Sequence, residues 1–425
     1  MTSIKNSIEI DFVQTEQKLF PELATPLFYF IEKLYATLIE HGDKQVYFLA
    51  REGQPLKRMF DMYQDKVGGH IKSHYLEVSR RSTLLPSLAS LTEENFETLF
   101  RQYRRISLFE FLSSLGLEAW AKNIALAIGL QNGEEVLRED DFPSSLTFNS
   151  IKKLQLFQEL YESERIARRL AFISYLTQMS GGILPTTMVV VDVGWKGTIQ
   201  DNLFALLCKN GNTPVNKLSG YYLGLVAAGA ANPCNQKIGL LFSVVGDPTP
   251  KFRIFNENRT LFEVLLAADH GSIVSYKITE DGRASAIRGD FEEGDMLADK
   301  VFPLQHQLFK NFDLLVSGIS PSSKGCSLPF RDVVRAHARM VFNPTSDERT
   351  WFLSVFHVEN YGVFERSYLA KQKNQSEFFQ RLYFLKNLLQ RRNVGALGFW
   401  PWSTIYEQGG ALPAALYAGV RRLQR

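Results

Sequence analysis

The stretch Asp192-Val193-Gly194-Trp195-Lys196-Gly197-Thr198 brings together residue types that suit the binding of an anion. The apolar run from Thr187 to Val191 leads into a carboxylate, then two glycines, a lysine and a threonine placed to open a helix. Glycines let backbone N–H groups approach an anion closely, and a helix N-terminus adds partial positive charge. Gly194, Lys196, Gly197 and Thr198 therefore read as a phosphate cradle. Asp192 would repel a phosphate, so it is expected to meet a neutral part of the ligand, such as sugar hydroxyls. The plainer account is that Asp192 or Thr198 caps the helix.

Three further clusters carry charge. Arg51-Glu52-Gly53 and Ser79-Arg80-Arg81 each follow an apolar run. Alone, the first reads as a tight turn with an exposed ion pair worth at most about 1 kcal/mol, and the second as a solvated pair. Taken with Lys196 they leave positive charge in excess over Glu52 and Asp192, which a diphosphate would neutralise through bidentate arginine contacts. The third cluster is Asn256-Glu257-Asn258-Arg259, then Glu263, then His270-Gly271-Ser272. The spacing of Leu261, Val264, Leu265 and Ala268 predicts an amphipathic helix over 260–269. His270 would then fall at its C-terminus, where the dipole favours an imidazolium. Glu257, Arg259 and Glu263 are charged groups beside a strongly apolar helix, suited to binding an acceptor or supplying a base, with Asn258, His270 and Ser272 beside them.

The elements that must hold these groups follow from periodicity. Leu27, Ile31, Leu34 and Leu38 predict a helix over 22–42, stopped by Gly42. Residues 45–50, 74–78, 187–191 and 218–226 are short runs of strand type, and the first three end in the polar clusters above. Helix, buried strand, polar turn, helix is the grammar of a parallel sheet wrapped by helices, where ligands bind beyond the carboxyl ends of strands. The expected α/β domain comprises residues 1–90 and 181–285, interrupted by a helical insertion at 91–180. A helical region follows at 286–425, with Pro344 and Pro401 as breaks.

Composition narrows the class. Hydrophobic residues make up 45% and charged residues 22%, an ordinary globular balance. A net charge of +3 is too small to imply a nucleic-acid polymer as partner. Cys208, Cys234 and Cys326 are sparse and lack metal-ligand spacing, and the seven histidines form no zinc pair. That usage suits a reducing, cytoplasmic setting. No stretch approaches the roughly 20 apolar residues of a spanning helix. The aromatic and basic stretch from Phe399 through Arg421-Arg422 suits a docked terminal helix or, as the rarer reading, peripheral contact with the inner face of a membrane. Arg101 to Arg105 and Arg391-Arg392 are further basic clusters.

In order, the chain presents Tyr47-Phe48-Leu49-Ala50-Arg51-Glu52-Gly53, Val78-Ser79-Arg80-Arg81, Val190-Val191-Asp192-Val193-Gly194-Trp195-Lys196-Gly197-Thr198-Ile199-Gln200, and Glu257-Asn258-Arg259 followed by His270-Gly271-Ser272. This series resembles the glycan phosphoribosyltransferase module of bacterial surface-polysaccharide ribofuranosyltransferases, a group often placed loosely with HAD-type hydrolases. The resemblance spans residues 25–280 and, more faintly, the C-terminal helices. It implies a parallel sheet of phosphoribosyltransferase-like, Rossmann-like type. It also implies an inverting enzyme that moves 5-phosphoribosyl from phosphoribosyl pyrophosphate to a hydroxyl of a lipid-linked or polymeric glycan, as in O-antigen or capsule synthesis, releasing pyrophosphate. Asp192 would take the ribose 2- and 3-hydroxyls, and Gly194 to Thr198 the 5-phosphate. Arg51, Glu52 and Gly53 would hold pyrophosphate, assisted by Ser79, Arg80 and Arg81.

Glu263, Glu257 and Asp192, in that order, are candidates for the base. Any magnesium ion would arrive on the donor's pyrophosphate. Two departures stand out: Val193 follows Asp192 where ordinary phosphoribosyltransferases have a second acid, and Glu52 stands where the module usually has Asp. The Asp-x-Asp of an accompanying HAD phosphatase is missing, so a separate phosphatase is expected to finish the product. The rival expectations are a HAD-type phosphatase, which would need that motif, and a non-catalytic assembly protein, which would need no diphosphate pocket.

Overall fold

Five short runs pair into one parallel sheet in the computed structural model, which describes residues 18–424 apart from 102, 211, 247, 320–327, 361–363, 369–385 and 387–397. Cys326 and Arg391-Arg392 lie outside the described residues. The strands are β1 (Gln45–Leu49), β2 (Lys72–Leu76), β3 (Thr187–Asp192), β4 (Lys217–Leu225) and β5 (Asn235–Ser243), in the order β2-β1-β3-β4-β5. Every neighbouring pair is parallel. From β1 the chain steps outward to β2, and from β3 it steps the other way to β4 and β5. The order therefore reverses between β1 and β3, and loops leaving their carboxyl ends diverge to leave a crevice. The chain is thus an α/β protein with a wholly parallel central sheet.

Alternation along the strands sends side chains to two separate cores. Val46, Phe48, Val189 and Val191 pack on one face with the helices Ala24–His41, Gly53–Val67 and Phe302–Ser317. Tyr47, Leu49, Met188 and Val190 pack on the other with the end of the helix Gln155–Met179 and with Leu203 and Leu207 of the chain after β3. Burial of each such side chain is worth about 1.5–3 kcal/mol, which makes buried strands of this composition stable without an amphipathic signal.

Residues 91–180 have a core of their own, in which Phe96, Phe100, Phe111, Phe142 and Phe148 meet mostly edge-on or tilted, with Phe100 and Phe111 stacked. The 25-residue helix Gln155–Met179 joins it to the sheet. Phe157 and Tyr161 lie in the insertion's core, whereas Phe172 and Tyr175 lie in the sheet's.

Two local expectations are corrected. The helix expected over 260–269 spans only Thr260–Leu265. Gln305 Nε2 donates to the carbonyls of Leu265 (3.1 Å) and Ala267 (3.0 Å), groups that a continuing helix would have used internally. Directly after it, β6 (Ile273–Ile278) and β7 (Ala284–Arg288) form an antiparallel hairpin, with Ile273 and Tyr276 packed on the sheet's second core. The region after 290, expected to be helical throughout, contains a second hairpin of Phe356–Asn360 with Phe364–Tyr368. Among the described residues, no helix is long and apolar enough to cross a membrane.

Candidate functional site

The carboxyl ends of β1 and β3, and the turn that follows β2, open on one cavity of about 300 Å³. Ala50, Arg51 and Glu52 line it after β1, Ser79 and Arg80 after β2, and Asp192 to Ile199 at the end of β3 and beyond it. Arg259, Glu263 and Ser272 close the remaining side. The lining sets four cationic side chains against three carboxylates. The peptides Ala50–Arg51 and Gly194–Trp195 are cis.

Asp192 is buried, and that burial, with the nearby charge of Glu52, pushes its carboxyl up to about 8. The Val193 and Gly194 amides and Arg80 pull the other way and do not prevail. At neutral pH that shift favours the protonated form of Asp192, which lessens its repulsion of a phosphate. Gly194 adopts φ 143°, and a Cβ there would come within 2.3 Å of the Gly224 carbonyl oxygen. The loop thus lies directly against β4, where the Gly224 and Val226 amides donate to the Val193 and Trp195 carbonyls. Gly197 is left-handed at φ 66° and turns the chain into the helix Thr198–Phe204. The first-turn amides of a helix have no intrahelical partner, and here Thr198 and Ile199 stand at the cavity wall.

Trp195 organises the opposite side. Its Nε1 donates to Glu263 Oε1 at 2.7 Å, and the Arg259 guanidinium lies over its ring at 5.3 Å. Burial lowers the pKa of Arg259, and Glu263 opposes that shift. Beneath the loop, Lys237 of β5 donates to the Lys196 carbonyl at 3.0 Å and pairs with Asp201 at 2.7 Å. Its ammonium is wholly enclosed, and burial lowers its pKa. Sequence reasoning does not single out Lys237, because it stands at the polar start of β5 and carries no motif.

Several expected site residues have other work. Arg51 pairs with Glu293; burial opposes its charge, but Glu293 and Glu52 more than offset that and keep its pKa above the usual guanidinium range. Arg81 does not line the cavity and pairs with Glu118 of the insertion. The cationic excess expected from sequence is reduced accordingly. Ser79 reaches the cavity, yet its Oγ caps the helix Arg80–Ser87 by accepting from the Ser82 amide at 3.0 Å, and donates to the Ile273 carbonyl at 2.5 Å. Gly53 is buried where a Cβ would come within 2.8 Å of the Phe48 carbonyl carbon, so it permits the close turn rather than touching a ligand.

Glu257 and Asn258 are also displaced from the expected roles. The Glu257 carboxylate accepts from the Trp402 amide (2.8 Å), the Tyr417 hydroxyl (3.0 Å) and Arg421 Nε (3.3 Å), away from the cavity. Burial raises its pKa to about 7 against the pull of Arg421. Asn258 Oδ1 accepts from the Leu261 amide at 3.3 Å, just before the helix Thr260–Leu265, and Asn258 is not among the residues lining the cavity. His270 stands beyond the shortened helix, so the dipole does not charge it. With Nδ1 donating to the Gly271 carbonyl (2.8 Å), Nε2 accepts from the Tyr75 hydroxyl (2.7 Å), and burial lowers its pKa. The imidazole is neutral and lies outside the cavity lining.

No protein-family model and no curated protein matches this chain. The functional reading therefore rests on the cavity itself.

Proposed function

We propose that the chain is a phosphoribosyltransferase that uses phosphoribosyl pyrophosphate as donor and a glycan hydroxyl as acceptor. The observation that carries this reading is the convergence of three strand-end loops on one cavity, whose walls include a buried carboxyl, Asp192, and the cations Arg51, Arg80, Lys196 and Arg259. A phosphorylated sugar matches that mixture. Its phosphates suit the cations and the amides that open the helix Thr198–Phe204, while its hydroxyls suit Asp192.

In the proposed reaction the acceptor oxygen attacks the anomeric carbon and the carbon–diphosphate bond breaks. The acceptor proton passes to Glu263, and pyrophosphate leaves with the bonding electrons, inverting the centre. Arg51 and Arg80 stabilise charge developing on the departing diphosphate, a contribution whose removal commonly costs about 10²–10³ in rate. A magnesium ion carried on the diphosphate needs only one or two protein carboxylates, and Glu52 in the cavity lining is the one that would meet it. Because the 5-phosphate is gripped throughout, the product would retain it and a separate phosphatase would act next. A cytoplasmic setting suits the unpaired thiols Cys208 and Cys234.

Calorimetry with phosphoribosyl pyrophosphate, ribose 5-phosphate and a nucleotide sugar tests the donor. The expected result is affinity for the first, weaker affinity for the second and none for the third. Tight binding of the nucleotide sugar, with none of phosphoribosyl pyrophosphate, overturns the reading.

A further inference from the structure

A second cavity of about 310 Å³ adjoins the first and shares Arg51 and Ser272 with it. Its remaining lining comes from outside the parallel sheet: Val274 and Gly289 at the first hairpin, the run Asp290 to Glu293, and Arg81 with Glu118 of the insertion. We infer that this cavity is the acceptor subsite and takes a neutral pyranose residue of the glycan. The inference rests on the transfer reading above and adds the place and chemical class of the second substrate.

Charge separates the two cavities. The first sets four cations against three carboxylates, whereas the second sets two arginines against four carboxylates, Glu118, Asp290, Glu292 and Glu293. Both arginines are engaged, Arg51 by Glu293 and Arg81 by Glu118. Such a wall disfavours a phosphate. It suits a polyol, because an ionised carboxylate only accepts hydrogen bonds and each sugar hydroxyl brings a proton to donate. Phe291, between two of these carboxylates in sequence, gives the cavity an aromatic surface for the C–H face of a pyranose. Arg81 Nε and Glu118 Oε2 are both buried without a hydrogen-bond partner among the described residues, so their pair has bonding capacity left over. The shared Arg51 and Ser272 place a sugar in the second cavity next to a donor in the first.

The test uses the full chain and saturation-transfer NMR with methyl glycosides of glucose, galactose, mannose and rhamnose, alongside calorimetry of phosphoribosyl pyrophosphate. Two variants alter the second cavity alone: Phe291→Ala removes the aromatic surface and Val274→Trp fills the space. At least one glycoside is expected to bind the wild type, and both folded variants to weaken that binding by about tenfold or more with donor affinity unchanged. Failure of every glycoside to bind the wild type, or binding that survives both variants, overturns the subsite. If glycosides behave as expected while phosphoribosyl pyrophosphate does not bind, the subsite stands as a carbohydrate site and the transfer reading falls.

Discussion

Asp192 is in conflict with its surroundings, and that conflict has measurable consequences. Its folded pKa of about 8 lies far above the ordinary 3.8. Between those values the folded protein keeps a proton that the unfolded chain has released. Stability must therefore fall as pH rises through this window and level off above it. Asparagine has the same shape and no charge to desolvate. Asp192→Asn should thus match the wild type near about pH 4 and melt several degrees higher near about pH 9, while losing most transfer activity. Calorimetric melting of both proteins across that range checks the claim, and parallel curves would show that Asp192 is not strained by its burial. Glu52 has a part in the same conflict, since its charge is the second cause of the Asp192 shift.

At the scale of elements, the site depends on how closely the loop after β3 lies on β4. A methyl group at Gly194 would meet a backbone oxygen at 2.3 Å, and backbone cannot move aside as a flexible side chain can. Gly194→Ala should displace the loop and weaken phosphoribosyl pyrophosphate by at least about tenfold, or about 1.4 kcal/mol. Gly419→Ala, in a helix with nothing within 4 Å, is the control and should stabilise slightly. Equal donor affinity in both variants would separate the loop from the binding site. The same scale explains what was legible in the sequence. The strand at β3 and its polar end are readable because four buried residues, Met188 to Val191, precede Asp192 without interruption. The strand β5 begins Asn235-Gln236-Lys237, and its polar residues are satisfied by partners distant in sequence, such as Gln200 on Asn235 and Asp201 on Lys237. The early end of the helix at Leu265 depends on Gln305, forty residues further on. Periodicity reports local pattern, so elements bounded by distant side chains escape it.

For the whole molecule, the regions outside the sheet each send a carboxylate toward the site's basic groups. The insertion contributes Glu118 to Arg81, and the C-terminal region contributes Glu293 to Arg51. In the reverse direction, Glu257 reaches from the segment that carries Arg259 and Glu263 to Trp402, Tyr417 and Arg421 of the last two helices, Pro401–Gly409 and Ala411–Leu423. Those helices therefore brace one wall of the cavity although they do not line it. Glu257→Ala removes the common acceptor of three hydrogen bonds. The cost should be about 2–3 kcal/mol, limited because Arg421 can still reach water. Urea denaturation measures that loss. Donor KM should rise as Arg259 loses its support, kcat should fall modestly as Glu263 shifts, and proteolysis should cut sooner within 398–424. Glu257→Gln, which keeps one acceptor oxygen, should fall between the two proteins. A large fall in kcat with stability and KM unchanged would instead return Glu257 to the chemistry, as the sequence alone allowed.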